Sequence, residues 1–210
     1  MRKFPKVQLE EFRIFKKLNT PAKIQDFINK IRINFEPNGE TCRSPLLVLR
    51  REEAHCMEGA MLAAAAFWHN GERPVLVNLK TTPDDYGHVL AIFKRGGRWG
   101  AVTKTNHAVL RYRDSVFLSL RELAMSYFNE YFLDNGRKTL RAYSVPFDLT
   151  KYGDDWVTSR KNLSKILDAL MESPHIKILG KDSVRRLRLA DPIEIKAGKL
   201  VERRKNKNRT

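Results

Sequence analysis

The chain has few cysteines and no long hydrophobic segment. Two cysteines among 210 residues are too few for a disulfide framework, and no CxxC pair or cysteine/histidine cluster indicates a zinc site. The longest apolar run, Ala60 to Trp68, is too short to span a membrane as a helix. Residues 1–6 lack the apolar core of a signal peptide. We therefore expect a cytoplasmic protein with reduced thiols, no bound metal and no membrane insertion.

Acidic residues are the minority among the charged side chains. Lysine and arginine number 40 against 24 aspartates and glutamates, which gives a net charge of +16. This balance favours a polyanionic partner, such as nucleic acid, an acidic lipid surface or an acidic protein. A solvated basic surface explains the charge equally well, because the charge is spread along the chain. No aromatic-rich motif of the kind found in RNA-recognition domains is present.

The hydrophobic content predicts a single folded domain. Hydrophobic residues make up 42% of the chain, which is too many for a disordered polypeptide. No internal repeat or linker divides residues 1–200, so we assign them to one domain. The tail 201–210 is basic and polar, and we predict that it is disordered.

The first half of the chain predicts an α+β arrangement. Thr20 and Pro21 are typical of a helix start. Asn70 and Gly71 are typical of a helix end. The predicted elements are helices over 21–33 and 54–69, and strands over 74–79, 87–93 and 99–103, with a hairpin at 94–98.

The second half of the chain is predicted to be mainly helical. An aromatic stripe over 115–132 is typical of a long amphipathic helix whose rings belong to the core. The other predicted elements are a short strand within 139–146, a helix from 159 or 162 to 171, and a helix over 182–190. Lys104, Arg111 and Arg113 lie between apolar residues, where they would line an anionic substrate channel or form a solvated edge.

Cys56 and His88 are the candidate reactive residues. Cys56 lies in the first turn of the alanine-rich helix, where the helix dipole favours the thiolate. His88 opens a predicted strand, and a polar ring at a buried strand needs a partner. The alternatives are a small core cysteine and a satisfied core histidine. His55 is expected to be an exposed neighbour that lowers the thiol pKa when charged. Glu58 is expected to face away as an ordinary first-turn acid.

The order of these elements resembles the transglutaminase-like superfamily, which has a papain-like cysteine fold. Its core is a helix bearing the cysteine, packed on an antiparallel sheet. The resemblance is carried by Arg50 to Ala60, Gly71 to Val77, Gly87-His88 and Trp99 to Thr103. It implies a core over about 21–106 and a helical C-terminal addition over about 107–200.

The chain departs from the family pattern at the third catalytic position. The family's aspartate lies four positions after the strand tryptophan, and that position here is Thr103. Asn106 could orient the histidine instead, as asparagine does in papain-like enzymes, or it is a turn residue. The weaker substitutes are Asp84, Asp85 and Asp114.

Two main functions follow from the resemblance. The first is a cysteine-dependent hydrolase or acyltransferase for amide, isopeptide or ester bonds. In it Cys56 attacks, His88 transfers the proton, and the Cys56 N–H contributes to the oxyanion hole, with no cofactor. The alternative is a catalytically inactive member of the fold that binds an anionic partner, nucleic acid or an acidic protein. A third hypothesis is an accessory protein whose C-terminal tail docks elsewhere.

Overall fold

The regular elements of the described residues are seven α-helices, four short 3-10 helices and nine strands. The computed structural model describes residues 3–6 and 9–202. The helices are α1 (Pro21–Lys30), α2 (Pro45–Arg51), α3 (Cys56–His69), α4 (Leu120–Met125), α5 (Ser164–Glu172), α6 (Lys181–Arg185) and α7 (Pro192–Gly198). The strands are β1 (Arg32–Ile33), β2 (Glu53–Ala54), β3 (Val75–Thr81), β4 (His88–Arg95), β5 (Arg98–Val102), β6 (Arg113–Phe117), β7 (Leu140–Ser144), β8 (Phe147–Asp148) and β9 (His175–Lys177). Four short 3-10 helices lie at Glu10–Lys16, Phe128–Glu130, Leu149–Tyr152 and Asp155–Val157.

The main sheet is antiparallel throughout. Its strand order is β6-β5-β4-β3-β7-β9, and β8 pairs with the first residues of β3. The register of β3 and β4 places Leu79 opposite His88, so the histidine lies where β4 begins, at one end of the sheet. A separate parallel pair, β1 with β2, leads the chain directly into α3.

The helix that carries Cys56 is the central element of the larger core. Every residue of α3 from Met57 to Trp68 is buried, because the sheet covers one side while α1 and α2 cover the other. Four consecutive alanines, Ala63 to Ala66, are fully buried and allow this close approach on all sides. The predicted arrangement of a cysteine-bearing helix on an antiparallel sheet is confirmed.

The opposite face of the sheet has a second core. Leu79 and Leu90 from the sheet pack there with Leu123 of α4 and with the rings of Tyr127 and Tyr131. The sheet is therefore covered on both faces. The residues after 107 do more than add helices, since they contribute the four strands β6 to β9.

The helix predicted over 115–132 is wrong at both ends, since the α-helix spans only Leu120–Met125 and a separate 3-10 helix follows at Phe128–Glu130. Residues 113–117 form β6, because the open edge of β5 is available for pairing, with Trp99 opposite Phe117. The helix begins only after Ser119, whose hydroxyl accepts from Glu122 N–H at 3.1 Å. The aromatic stripe is nevertheless core, as predicted. Tertiary pairing prevailed over the local helical periodicity.

Several other boundaries differ from the sequence prediction. Helix α1 begins at Pro21 with Thr20 as its cap, as predicted, but ends at Lys30, because 32–33 pair with β2. The helix predicted over 182–190 ends at Arg185, and α7 begins separately at Pro192. The strand predicted within 139–146 is confirmed as β7.

The beginning of the C-terminal tail is paired with the rest of the protein. Val201 forms an antiparallel bridge with His107, so the disorder predicted over 201–210 is wrong at this residue. The remainder of that prediction, 203–210, lies outside the described residues. Within the described ranges, no helix combines the length and the apolar character needed to cross a bilayer.

Candidate functional site

Cys56 lies in a cleft at the end of the sheet. It is the first residue of α3 and is partly exposed. The cleft has a volume of about 520 Å³, and His55, His88, Asn106 and Tyr131 share it with the thiol. The structure thus brings together three of the four predicted site residues, Cys56, His88 and Asn106.

Two imidazoles control the ionisation of the Cys56 thiol. Burial raises its pKa, but hydrogen bonding to His55 and His88 and the charges of both rings outweigh burial. The net effect lowers the pKa of Cys56 to about 5. Because thiolate is the nucleophilic form of cysteine, this environment favours reaction at neutral pH.

His55 is the residue that caps α3. Its Nδ1 accepts from Met57 N–H at 3.2 Å, and its Nε2 lies 2.8 Å from the carbonyl oxygen of Thr41. Burial lowers the pKa of His55, but Cys56, Glu58 and the Thr41 carbonyl raise it to about 9. The cap requires a neutral ring, whereas the raised pKa favours the charged ring beside the thiolate. His55 is only 17% exposed, so the expectation of an exposed neighbour was wrong, although its predicted influence on the thiol agrees with the structure.

Glu58 joins several segments that precede α3 by hydrogen bonds to its carboxylate. Its side chain is fully buried, contrary to the expectation of an ordinary first-turn acid. The carboxylate accepts hydrogen bonds from four donors, which are Asn34 Nδ2 at 3.1 Å, Thr41 Oγ1 at 2.8 Å, Arg43 N–H at 3.0 Å and His55 N–H at 3.1 Å. The residue forms a capping box with His55. The pattern of a glutamate three positions after the cap could have indicated this role in the sequence.

His88 is buried at the start of β4. It is 5% exposed, and its Nε2 has no hydrogen-bond partner among the described residues. No described residue therefore orients this nitrogen in the way that a third catalytic residue would.

Neither candidate for the third position contacts His88 by a hydrogen bond. The hydroxyl of Thr103 donates to the Leu110 carbonyl at 2.9 Å, and its N–H donates to Gln25 Oε1 at 2.9 Å. Thr103 thereby ties β5 to α1 and to the following loop. Asn106 lines the cleft, and its carbonyl oxygen accepts from Glu202 N–H at 2.7 Å.

The three aspartates considered as substitutes have other partners. Asp84 pairs with Arg137, and Asp85 accepts from Thr139 Oγ1 and from Tyr86 N–H. Asp85 still lines the cleft, whereas Asp114 is exposed on β6. None of them is hydrogen-bonded to the histidine in the described part of the chain.

Lys104 lines the cleft and connects it to the end of α1. It is buried, and its Nζ donates to the Ile28 carbonyl at 3.1 Å and to that of Ile31 at the end of α1. A Cβ at Gly59 would lie 2.4 Å from Lys104 Cβ, so glycine is required there. The solvated edge considered for this residue is therefore wrong, because its amine is enclosed beneath the first turn of α3.

Two tyrosines of the aromatic stripe differ in whether their hydroxyl groups have a hydrogen-bond partner. Tyr127 donates to the Arg111 carbonyl at 3.0 Å. Tyr131 is 3% exposed and lines the cleft, but its hydroxyl has no partner among the described residues. The sequence indicated Tyr131 only as a core residue, since periodicity does not reveal which groups surround the hydroxyl at the end of the ring.

The C-terminal segment forms one wall of the cleft. Ile195, Gly198 and Lys199 line it. The chain then runs beside residues 106–108 at the edge of the cleft, where Ala108 N–H donates to the Leu200 carbonyl at 2.8 Å. The first residues of the predicted tail thus lie against this protein's own cleft.

Comparisons with models of known protein families and with curated protein sequences found no match. The site is therefore interpreted from its geometry and chemistry.

Proposed function

We propose that this protein is a cysteine-dependent hydrolase or acyltransferase with a transglutaminase-like, papain-like core. Cys56 is the nucleophile and His88 the proton carrier. The substrates are amide, isopeptide or ester bonds, and no cofactor takes part. The observation that carries the proposal is a helix-start thiol, open to a cleft, whose pKa two adjacent imidazoles hold at about 5.

The chemistry follows from the positions of the groups. The Cys56 thiolate attacks the carbonyl carbon, and the Cys56 N–H at the start of α3 contributes to the oxyanion hole. The Met57 N–H is not used in this way, because it already donates to His55 Nδ1. Protonated His88 then gives its proton to the departing amine or alcohol. Water or an acceptor amine releases the acyl group from the resulting thioester.

His55 and His88 have different parts in this scheme. His55 is fixed by Thr41 and by its position as the helix cap. Its part is to help lower the pKa of the thiol, mainly through a hydrogen bond, without carrying the proton to the substrate. His88 interacts with the Cys56 thiol and takes no part in the helix cap, so it is the ring assigned to exchange a proton with the thiol and the substrate.

The test is the pH dependence of Cys56 alkylation by iodoacetamide, followed by mass spectrometry. A lowered pKa means that the thiolate exists at every pH above about 5, so labelling should be half-maximal near pH 5. An ordinary thiol has its midpoint near pH ~8.5. A midpoint near that ordinary value would contradict the proposal.

A turnover measurement completes the test. Cys56→Ala should abolish thiol-dependent cleavage in a screen of amide and ester substrates while the thermal unfolding curve keeps its shape. Cleavage retained at the wild-type rate in the folded variant would exclude Cys56 as the nucleophile.

A further inference from the structure

Tyr131 lines the same cleft as the reactive thiol, and its buried hydroxyl has no partner among the described residues. Tyr131 follows the 3-10 helix Phe128–Glu130, and its ring packs in the core beneath the sheet. Its hydroxyl is enclosed and unpaired among the described residues. A buried polar group that lacks a partner in the free protein is commonly satisfied by a ligand, a water or a reacting group.

The neighbouring Tyr127 shows what an ordinary structural tyrosine does in this core. It is fully buried, and its hydroxyl donates to the Arg111 carbonyl at 3.0 Å. The two rings lie four residues apart in the same core cluster, yet only Tyr131 lines the cleft with Cys56. Of these two tyrosines, the one without a hydrogen-bond partner for its hydroxyl is thus the one that lines the cleft.

The electrostatics of the cleft keep Tyr131 protonated. Burial raises its pKa, and the negative charges of Cys56 and Asp85 raise it further. The phenol is thus a hydrogen-bond donor under the conditions in which Cys56 is a thiolate. A donor that lacks an acceptor, on a residue that lines the cleft of the nucleophile, is suited to an oxygen that becomes negative during the reaction.

We propose that Tyr131 is a catalytic residue whose hydroxyl donates a hydrogen bond to the substrate carbonyl oxygen as Cys56 attacks. This assignment rests on the proposed function and adds a side-chain donor to the backbone N–H at the start of α3.

The step balances as follows. The Cys56 sulfur forms a bond to the carbonyl carbon, and the electron pair of the carbon–oxygen double bond moves to the oxygen. Tyr131 donates to that oxyanion without losing its proton. When the double bond re-forms, the bond to the leaving group breaks, and the leaving group takes a proton from His88.

The experiment compares two reactions of Cys56 in Tyr131→Phe. Acylation by p-nitrophenyl acetate passes through an oxyanion, whereas alkylation by iodoacetamide does not. We expect the acylation rate to fall about 100-fold and the alkylation rate to stay within about twofold of wild type. Because the deleted hydroxyl is unpaired, the variant should also keep its melting temperature.

Tyr127→Phe is the matched control. It removes a paired hydroxyl outside the cleft, so it should lower the melting temperature by about 2 to 4 °C and leave both reactions unchanged. Unchanged acylation in Tyr131→Phe would overturn the assignment, and so would an equal fall in acylation and alkylation, because that would mean an effect on the thiol itself. Slow alkylation of wild-type Cys56 with an ordinary midpoint would instead contradict the proposed function.

Discussion

Cys42 and Cys56 are the two cysteines of this chain, and the fold gives them opposite properties. Cys42 is 1% exposed, and burial together with the charge of Glu58 raises its pKa to about 12. Cys56 is also partly covered, but the two imidazoles lower its pKa to about 5. At neutral pH one side chain is therefore a thiol and the other a thiolate.

The difference shows that burial alone does not decide the state of a cysteine. Burial opposes the charged form at both positions. What distinguishes them is their neighbours: two imidazoles stabilise the Cys56 thiolate by hydrogen bonds and by their charge, whereas the charges that act on Cys42 are negative. The comparison also provides an internal reference, because one protein carries both a protected and an activated thiol.

The largest expected effect comes from Glu58→Gln, which changes the surroundings of Cys42 in this comparison. Loss of the buried carboxylate leaves several donors without an anionic acceptor, and we expect a loss of about 3 to 5 kcal/mol of stability. This corresponds to a melting temperature lower by about 10 °C. The pKa of Cys42 should fall, because the Glu58 charge raises it.

Calorimetry with Glu172→Gln as the control tests this expectation. Glu172 is exposed at the end of α5, so its replacement should leave the melting temperature nearly unchanged. Equal melting temperatures for the two variants would show that the hydrogen bonds of the buried Glu58 carboxylate do not stabilise the protein.

The second expected effect is that His88→Ala brings the two cysteines closer in reactivity. The variant loses the hydrogen bond and the charge with which His88 stabilises the thiolate, while burial remains. The pKa of Cys56 should therefore rise, and alkylation at pH ~6 should be about 10- to 100-fold slower. Mass spectrometry of both cysteines measures the change.

His107→Ala is the control for this variant. His107 lines the same cleft but is exposed, and its Nδ1 lies 3.1 Å from the Gly198 carbonyl. Its loss should leave Cys56 labelling unchanged, and Cys42 should stay unlabelled in both variants if they are folded. An unaltered Cys56 rate in His88→Ala would remove the histidine from the reactive pair.

The smallest expected effect is that of Thr41→Val. This variant separates the effect of the Glu58 hydrogen bonds on stability from their effect on the reactivity of Cys56. The Thr41 hydroxyl donates to Glu58 and accepts from Asn34 Nδ2 at 2.8 Å. Its removal should cost about 1 kcal/mol in urea unfolding, with Cys56 alkylation within about twofold of wild type. A larger change in alkylation than in stability would mean that the Glu58 cluster tunes the thiol directly.

The elements around the site were largely predictable from the sequence. Thr20-Pro21 and Asn70-Gly71 marked helix ends that the structure confirms, and the strands of the central hairpin match. The helix predicted over 115–132 failed because residues 113–117 pair with an open strand edge. No local pattern reports such an edge, since it depends on a strand that lies elsewhere in the chain.

The site itself was only partly predictable. Cys56 and His88 could be proposed because a helix start and a strand start are visible as local signals. Glu58 and Tyr131 were assigned wrongly or incompletely, since their importance lies in which polar atoms are paired. Thr103 lies where the resemblance would place the third catalytic residue, but its hydroxyl already donates to the Leu110 carbonyl.

The sequence by itself indicated the helix that carries Cys56 and the strand that begins with His88, although residue 54, predicted as helical, lies in β2 and the helix begins at Cys56. It also supplied a thiol, several imidazoles and an alanine-rich helix able to pack closely. Only the tertiary structure decided which thiol is ionised, which carboxylate is buried and which hydroxyl is left unpaired. The reason is physical. Propensity and periodicity act over a few residues, whereas a pKa or an unsatisfied hydrogen bond depends on groups brought together from distant parts of the chain.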